Sequence, residues 1–206
     1  MPSIYVRIKK RLLASLGIHL NVVRATPIVK DPNYPAELKH IILRELSEQD
    51  LLEATQNPEL ELSREFVEAA ANRGDIAFGA FDDSELVALV WRTLTVAPHQ
   101  DGVSVRVSRP YNYVYKSFTR PSHRGQQLNP TLILYSDLKF LELGYTHRAG
   151  FIDTCNLASL ATGKHMGSRF LGYAGYVIWF GHFISFRTPA VKKIGLEFFV
   201  EKYSCF

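Results

Sequence analysis

The segment between residues 118 and 129 has the composition of a turn that binds phosphate groups. A strand-like run ends at Phe118, a helix-periodic run begins near Leu128, and Arg124 and Gly125 stand between them. The main-chain N–H groups and the dipole at the start of a helix favour an anion, and glycine lets the backbone approach it closely. Arg124 adds a permanent positive charge. The pattern predicts a diphosphate-binding turn, and the alternative is an ordinary strand-to-helix loop with a solvated arginine.

A second group of polar residues follows the next strand-like run, over residues 150–154. Asp153 lies in that run, and Asn156 and Ser159 stand at the start of a helix-periodic segment. Asparagine and aspartate are favoured at helix N-caps, and their side chains can also bind a ligand or, for a carboxylate, accept a proton. We therefore expect Asn156 to cap the helix, to bind a ligand, or to do both. Ser159 is expected either to pack or to contact the ligand.

The order of strand, Pro-x-x-Arg-Gly turn, helix, strand and Asn-x-x-Ser helix over residues 118–167 resembles the acyl-CoA-binding half of the GNAT N-acetyltransferase superfamily. The resemblance implies that the main chain at Phe118 and Thr119 pairs with the pantetheine arm between two diverging strands, and that Asn156 hydrogen-bonds this arm. The residues implied in binding acetyl-CoA or another acyl-CoA are Phe118, Thr119, Arg124, Gly125, Gln126, Gln127, Leu128, Asn129, Asn156 and Ser159. Gln127 and Asn129 stand where the family usually has glycine or a small residue.

The same resemblance implies direct transfer of the acyl group to an amine in a ternary complex, with a base for the amine and an acid for the leaving thiolate. The family's usual tyrosine would stand at position 163, which is glycine here. Tyr173, Tyr176 or His165 could substitute as the acid, and nothing in the sequence chooses among them; Tyr173 is taken as the candidate. Asp153 is the candidate base, with capping of the next helix as its alternative role, because the strand over residues 112–118 has no carboxylate.

The overall composition favours one globular domain. The chain has 206 residues, of which 47% are hydrophobic and 21% charged, and this length suffices for a packed core. The net charge of +4 suits an anionic co-substrate, and the basic residues are spread along the chain, so nucleic acid is not expected as a partner. The two cysteines give no disulfide framework, so a reducing, cytoplasmic location is expected. The sequence holds no metal-binding motif, so no metal is expected.

Two segments raise the question of membrane contact. Residues 170–186 carry no Asp, Glu, Lys or Arg, but they are shorter than the ~20 residues of a spanning helix and rich in β-formers, so we expect buried strand. Residues 4–16 have the pattern of a basic amphipathic helix. Its apolar positions are Ile4, Ile8, Leu12 and Leu16. We expect this face to pack on the domain, and contact with a membrane surface or a partner is the alternative.

The remaining patterns predict an α/β or α+β fold, with a mixed, mostly antiparallel central sheet and helices on both faces. Residues 1–40 are predicted to form the N-terminal helix and a connector, and residues 41–206 the GNAT-like domain. Ser47 and Ser63 are expected to cap two helices, and Gly144 to end the helix after the turn. Residues 103–107 are expected to form an edge strand. His123 is expected to be solvated, and His182 to lie in the core.

These observations leave three functions of the predicted domain open, beside binding of a membrane or nucleic acid by the basic arm over residues 1–20. The leading hypothesis is an N-acyltransferase, with acetyl as the expected group and a small-molecule or peptide amine as acceptor. A longer acyl donor is the second, with the aromatic residues of 173–186 lining its pocket. A GNAT-like binding or regulatory module without catalysis is the third, and it is suggested by Gln127, Asn129 and Gly163. A homodimer is compatible with the sequence.

Overall fold

Helices and strands follow one another along the whole described chain. The computed structural model describes residues 4–35, 38, 40–100, 102–165 and 167–200. The helices are α1 (Ile4–Ser15), α2 (Glu48–Thr55), α3 (Arg64–Asn72), α4 (Leu128–Glu142), α5 (Leu157–His165) and α6 (Pro189–Lys193). The strands are β1 (Ile18–Pro27), β2 (Ile41–Glu45), β3 (Ile76–Asp82), β4 (Glu85–Thr93), β5 (Val96–Pro98), β6 (Val103–Arg106), β7 (Tyr111–Thr119), β8 (His147–Asp153), β9 (Arg169–Trp179), β10 (His182–Arg187) and β11 (Glu197–Val200).

The chain divides into two compact units. The first unit is drawn from residues 1–27, 95–111 and 147–206, and the second unit from residues 28–94 and 112–146. Each unit therefore contains segments that are far apart in the sequence.

The second unit is built on antiparallel strands in the order β7-β4-β3-β2. Phe78 and Val90 pack with Leu132 and Phe140 of α4 in the buried core on one face. Because neighbouring residues of a strand point to opposite faces, Trp91 lies on the other face. There Phe66 of α3 meets the Trp91 ring edge to face, with the centroids 5.3 Å apart. Helices thus cover both faces of this sheet.

Local signals in the sequence set the helix starts of the second unit. Ser47 and Asp50 form a reciprocal capping box at the start of α2, and Arg44 pairs with the Asp50 carboxylate. The Ser63 hydroxyl accepts a hydrogen bond from the Phe66 N–H at the start of α3. Gly144 follows α4 with a φ of 84°, a left-handed conformation that glycine adopts at low cost. These caps confirm the predicted boundaries of the three helices.

A buried ion pair joins α4 to the same sheet. The Arg92 side chain is fully buried, and its Nη1 lies 2.6 Å from Oδ1 of Asp137, which is 1% exposed. Arg92 also donates to Ser136 and Asn112, and its guanidinium stacks over Phe140 at 4.2 Å. A buried charge requires such compensation, because removing it from water costs several kcal/mol.

The first unit contains two antiparallel sheets. One has the strand order β10-β9-β1-β8, in which β1 pairs with β8 on one side and with β9 on the other. The other has the order β11-β6-β5. Tyr176 of β9 links the two sheets, since its ring stacks on His19 at 4.3 Å and approaches Phe198 of β11 at 5.4 Å.

The fold class is the predicted one: an α/β arrangement with mostly antiparallel strands and helices packed against them. Residues 170–186 form the β9–β10 hairpin, so the expectation of strand is confirmed. The expectation that this segment is buried was wrong, because Trp179, Phe180 and Ile184 are 63%, 85% and 55% exposed. No described helix has both the length and the apolar character needed to cross a membrane.

Four further details differ from the sequence-based expectations. Residues 18–27 form β1, an inner strand of the first unit, instead of belonging to a helical arm and a connector. The strand predicted at an edge over 103–107 is β6, which lies between β5 and β11. His182 is exposed, because it stands beside the tip of the β9–β10 hairpin.

The fourth difference concerns the orientation of α1. Ile8, Leu12 and Leu16 are 54%, 58% and 58% exposed, so the predicted packing face points to solvent. Val6 is buried and Leu13 half-buried, and these two residues face inward instead. The helix therefore has two apolar faces: Val6 and Leu13 face inward, and Ile8, Leu12 and Leu16 are exposed to solvent.

Candidate active site

The turn after β7 bends through two left-handed residues before α4 begins. Strand β7 ends at Thr119, and a short 3-10 turn over Pro121–His123 follows. Gly125 has a φ of 84° and Gln127 a φ of 59°. Such conformations are easy for glycine but cost energy for glutamine, so the surrounding turn must hold Gln127 in place.

Five consecutive main-chain N–H groups at this bend have no acceptor among the described residues. They belong to Gly125, Gln126, Gln127, Leu128 and Asn129. Gly125, Gln126 and Gln127 are exposed, and no side chain caps the start of α4. A Cβ atom placed on Gly125 would meet no atom within 4 Å, so the space in front of this backbone is open. In the part of the chain that the structure describes, the expected diphosphate donors thus have no acceptor.

Arg124 lies beside these donors on the exposed surface. Its Nε donates to the Thr119 carbonyl at 3.1 Å, which ties the end of β7 to the turn. This bond uses one of the five guanidinium donors, and the two terminal nitrogens remain for an anion. Leu128, by contrast, is 1% exposed and anchors α4 in the core through its side chain.

Asn129, in the first turn of α4, is half-buried. Its Oδ1 is buried and has no hydrogen-bond partner among the described residues. An unpaired buried oxygen costs about 1–3 kcal/mol. Rotation of χ2 by 180° would put the amide nitrogen at this position, which would add a donor to the turn.

The other charged residues of the turn have protein partners. Arg120 donates to Glu85 at 2.8 Å and lies 3.4 Å from Glu59, at the wall of a cleft of about 140 Å³. His123 is 17% exposed and its Nε2 lies 3.2 Å from an Asp82 carboxylate oxygen. The expectation of a solvated His123 was wrong, because the 3-10 turn presses its ring against the β3–β4 hairpin. Arg124 is therefore the guanidinium of this turn that lacks a carboxylate partner among the described residues.

Strand β7 carries a bulge before it reaches the turn. Ser117 pairs with Val90 and Tyr115 with Trp91, so Lys116 is left over, with a φ of 41°. Bulges bend a strand and are common next to active sites. Phe118 and Thr119, the predicted pantetheine-binding residues, follow it and pair with β4 at Leu89 and Ala88. Nothing in the sequence indicated the bulge, since lysine is not typical of a positive φ.

Two tyrosines of β7 are too firmly protonated to act as bases. Burial raises the pKa of Tyr113 well above its usual range. Burial also raises the pKa of Tyr115, and the hydrogen bond from its hydroxyl to Asp75 at 2.6 Å adds to this shift. Both side chains remain neutral at physiological pH.

In the first unit, Asp153, Asn156 and Ser159 lie together at the junction of β8 and α5. The Asp153 carboxylate accepts from the Cys155 N–H at 2.6 Å, and its carbonyl accepts from the Asn156 N–H. The Asn156 Oδ1 accepts from the Ser159 N–H at 3.1 Å, as an N-cap does. The Asn156 amide nitrogen is not used by this cap, so capping and ligand binding are compatible.

Tyr173 does not share a face with Asp153. Across the three strands, Tyr173 pairs with Val22 and Val22 with Ile152, whereas Asp153 pairs with Asn21. Directly paired residues point to the same face, so the side chains of Tyr173 and Asp153 leave the sheet on opposite faces. Tyr173 is 43% exposed and its ring contacts Phe170 edge to face. The structure therefore does not bring the candidate base and acid together.

The position of the family's tyrosine is filled by neighbouring side chains. A Cβ atom on Gly163 would lie 3.3 Å from Ile152, 3.4 Å from Ser168 and 3.5 Å from Arg24. Ser168 accepts from Arg24 at 2.5 Å and donates to the Gly163 carbonyl. A side chain at position 163 would therefore lie in contact with this network. Gly167 follows α5 in the left-handed conformation expected of a closing turn, and Met166 lies outside the described residues.

Comparison with known proteins gives matches in structure but none in sequence. No protein-family model and no curated protein matches the chain. A GNAT-family acetyltransferase from Novosphingobium aromaticivorans matches with a TM-score of 0.51 and 16% identity, over 76% of this chain and 61% of that one. A Drosophila protein matches with a TM-score of 0.50 and 16% identity, over 83% of this chain and 56% of that one.

A third match is an aminoglycoside acetyltransferase from an uncultured soil sample. Its TM-score is 0.48 and its identity 15%, over 63% of this chain and 89% of that one.

The chain spans about three fifths of the length of the first two structures, the Novosphingobium and Drosophila proteins. The predicted likeness to GNAT proteins is confirmed as a likeness of fold.

Proposed function

We propose that this GNAT-fold chain is an acyl-CoA-dependent N-acyltransferase, which moves an acetyl or longer acyl group onto an amine. The observation that carries the proposal is the row of main-chain donors from Gly125 to Asn129, which have no acceptor among the described residues. A helix start with several free N–H groups is suited to a diphosphate. The open space at Gly125 allows close approach of the phosphates.

Arg124 is proposed to complete the diphosphate site. Its terminal nitrogens can form charge-assisted hydrogen bonds, which are about twice as strong as neutral ones. Gln126 and Gln127 are exposed and lie on the same bend, so their amide groups can donate to the outer phosphate oxygens. Leu128 fixes the start of α4 from the core side. These residues fit a CoA diphosphate without requiring a metal ion.

When bound, acyl-CoA supplies a thioester as acyl donor. The main chain of Phe118 and Thr119 is proposed to hold the pantetheine arm, because both residues follow the Lys116 bulge at the end of β7. Asn156 is proposed to donate its free amide nitrogen to the same arm, and Ser159 supports it through the cap. The amine nitrogen would attack the thioester carbonyl carbon directly and form the amide C–N bond as the C–S bond breaks. A base takes the amine proton, CoA leaves as a thiolate that takes up a proton, and no covalent bond to the protein forms.

Calorimetric binding of acetyl-CoA and free CoA tests the diphosphate site. We expect Arg124→Gln to weaken both ligands about ten-fold, because one charge-assisted contact is lost. Arg64→Gln is the matched control: Arg64 is also an exposed arginine of the second unit, and its partner Glu68 lies on its own helix. Absence of binding by the wild type would refute the site. Tighter binding of a long-chain acyl-CoA than of acetyl-CoA would identify the longer donor.

Steady-state acylation of an amine library tests Asp153 and Tyr173 separately. Because their side chains leave the sheet on opposite faces, we expect at most one of the two variants to lose activity. Asp153→Asn preserves the oxygen that accepts from Cys155, so it keeps the turn while removing the base. Tyr173→Phe keeps the ring and removes the hydroxyl. Loss of a general base or acid lowers kcat by about 10²–10⁴. Full binding of acetyl-CoA with no turnover by the wild type would favour the binding-module alternative.

A further inference from the structure

The surface of α1 exposes apolar and basic side chains side by side. Ile8 and Leu12 stand one turn apart, and both are more than half exposed. Arg7 and Arg11 have the same spacing and are exposed on the adjacent strip of the helix. A helix with this arrangement lies in the plane of a bilayer interface, with its apolar residues among the acyl chains and its cations at the headgroups.

The tip of the β9–β10 hairpin exposes two large aromatic rings. Trp179 is 63% exposed and Phe180 is 85% exposed. Phe180 and Gly181 both have positive φ values, of 48° and 75°, which defines a tight two-residue turn that holds Phe180 outward. The strands behind the tip add Ile184 and Phe186, which share a face with Trp179 and are 55% and 37% exposed.

The C-terminal end of α1 and the hairpin adjoin each other in the first unit. The Ile178 N–H donates to the Gly17 carbonyl at 3.0 Å, so the end of α1 is bonded to the end of β9. Leu16, which is 58% exposed, therefore lies next to the hairpin tip. An exposed apolar patch of this kind in a folded protein marks an interaction site. We call this surface the α1–hairpin patch: Ile8, Leu12, Leu16, Trp179 and Phe180, with Arg7 and Arg11 at its side.

The charge of the first unit indicates what the patch contacts. Residues 1–27, 95–111 and 147–206 contain 14 Lys and Arg but 4 Asp and Glu, a net charge of +10. Two copies of such a surface would repel each other. A nucleic acid would use the cations but would leave the aliphatic side chains of α1 and the hairpin rings in water. An anionic bilayer satisfies both the charge and the apolar residues.

We propose that the first unit binds the surface of an anionic lipid membrane through the α1–hairpin patch. Trp179 and Phe180 enter the interface, where tryptophan is favoured, and Ile8, Leu12 and Leu16 bury their apolar side chains beside them. Arg7 and Arg11 contact the lipid phosphates and carboxylates. The contact is peripheral and reversible, since the helix lies on the membrane.

Trp179 provides a direct readout of this contact. The chain has two tryptophans, and Trp91 is 1% exposed in the second unit, so changes in emission on adding vesicles report on Trp179. With vesicles of phosphatidylcholine and phosphatidylserine, we expect a blue shift of the emission and its quenching by lipids brominated on the acyl chains. Vesicles of phosphatidylcholine alone should bind about ten-fold more weakly.

Three variants test the residues. Phe180→Asn suits the positive φ of the turn and should lower vesicle affinity about ten-fold or more. Leu12→Gln keeps a good helix former, and Arg11→Gln removes one charge, and each should lower the affinity about three- to ten-fold. Ile42→Thr is the matched control, because Ile42 is 56% exposed on β2 of the second unit. Its affinity should equal that of the wild type.

Several outcomes would overturn the proposal. These are absence of vesicle binding by the wild type, binding that Phe180→Asn and Leu12→Gln leave unchanged, or emission that brominated lipids do not quench. A concentration-dependent dimer in solution that Phe180→Asn abolishes would identify a second copy as the occupant. Tighter binding to duplex DNA or RNA than to anionic vesicles, sensitive to Arg11→Gln but not to Phe180→Asn, would identify nucleic acid. None of these readouts depends on acyltransfer.

Discussion

The two units of the chain differ in the sign of their charge and in where the charge lies. The first unit has 14 basic and 4 acidic residues, and the second has 10 basic and 16 acidic ones. The net charge of +4 for the whole chain is therefore the sum of +10 for the first unit and −6 for the second unit. The second unit also buries a complete ion pair, Arg92 with Asp137, whereas Arg7 and Arg11 of the first unit are exposed.

This difference separates two ways of binding an anion. The turn proposed to bind the diphosphate stands in the acidic unit, so binding there would rely on short-range main-chain donors and on Arg124. Such contacts act over about 3 Å and depend on geometry. The α1–hairpin patch stands in the basic unit, where many cations act together over about a Debye length, roughly 10 Å. The net charge of a unit thus points to the α1–hairpin patch, but it does not point to the turn after β7.

The largest expected effect concerns the buried ion pair of the second unit. Asp137→Ala leaves the Arg92 guanidinium uncompensated in the core, so we expect the free energy of unfolding to fall by about 3–5 kcal/mol. Urea denaturation followed by circular dichroism measures this loss. Glu68→Ala is the control, since its partner Arg64 is 70% exposed and such pairs contribute at most about 1 kcal/mol. Equal losses in both variants would contradict a structural role for the buried pair.

The next effect compares one glycine from each unit. A Cβ atom on Gly175 of the first unit would lie 1.9 Å from the His19 carbonyl oxygen, so Gly175→Ala must push β9 from β1. We expect a loss of about 3 kcal/mol. The Cβ atom of Gly125→Ala would contact no atom within 4 Å, so only the positive φ is unfavourable. This lowers the free energy of unfolding by about 1–2 kcal/mol. Thermal unfolding of both variants gives the comparison, and a greater loss for Gly125→Ala would show that the turn is packed instead of open.

The sequence predicts the second unit better than the first, for a physical reason. Helix caps such as Ser47 and Ser63, and the turn at Gly125, are local, so spacing and residue type suffice to find them. Strand β1 was missed because its partners β8 and β9 lie more than a hundred residues away, and His19 and Asn21 interrupt its apolar pattern. The direction in which α1 presents Leu12 depends on what it packs against, and its apolar periodicity does not contain that information.

The candidate site shows the same limit. The donors around Gly125 follow from a local strand-turn-helix pattern. The Lys116 bulge is fixed by pairing with β4, and the placement of Tyr173 and Asp153 on opposite faces is fixed by register through β1. Neither pairing can be deduced from the residues themselves. The local part of the site was therefore predictable, and the mutual arrangement of its residues was not.

Salt should distinguish the two modes of anion binding. Between low and physiological ionic strength, we expect partition to anionic vesicles to fall about ten-fold, since several exposed cations contribute. The affinity for acetyl-CoA should fall less than about three-fold, because close hydrogen bonds are screened weakly. Trp179 emission and calorimetry measure the two affinities on the same preparation. A steeper salt dependence for acetyl-CoA would mean that net charge, and not the turn, binds the cofactor.

The smallest expected effect is the pH dependence contributed by the cap of α2. The hydrogen bond from Arg44 holds the pKa of the Asp50 carboxyl well below its usual range, and bonds from Ser47 add to this. A lowered pKa in the folded state stabilises the fold above the unfolded pKa, about 3.9, and this contribution disappears as pH falls toward the folded pKa. Asp50→Asn should therefore cost about 1 kcal/mol near neutral pH and progressively less below about pH 4. Urea unfolding across this pH range measures the difference in the free energy of unfolding between Asp50→Asn and the wild type. Glu48→Gln is the control, because Glu48 is an exposed acid of the same helix turn. A difference that stays constant with pH would assign the loss to the amide substitution instead of the charge.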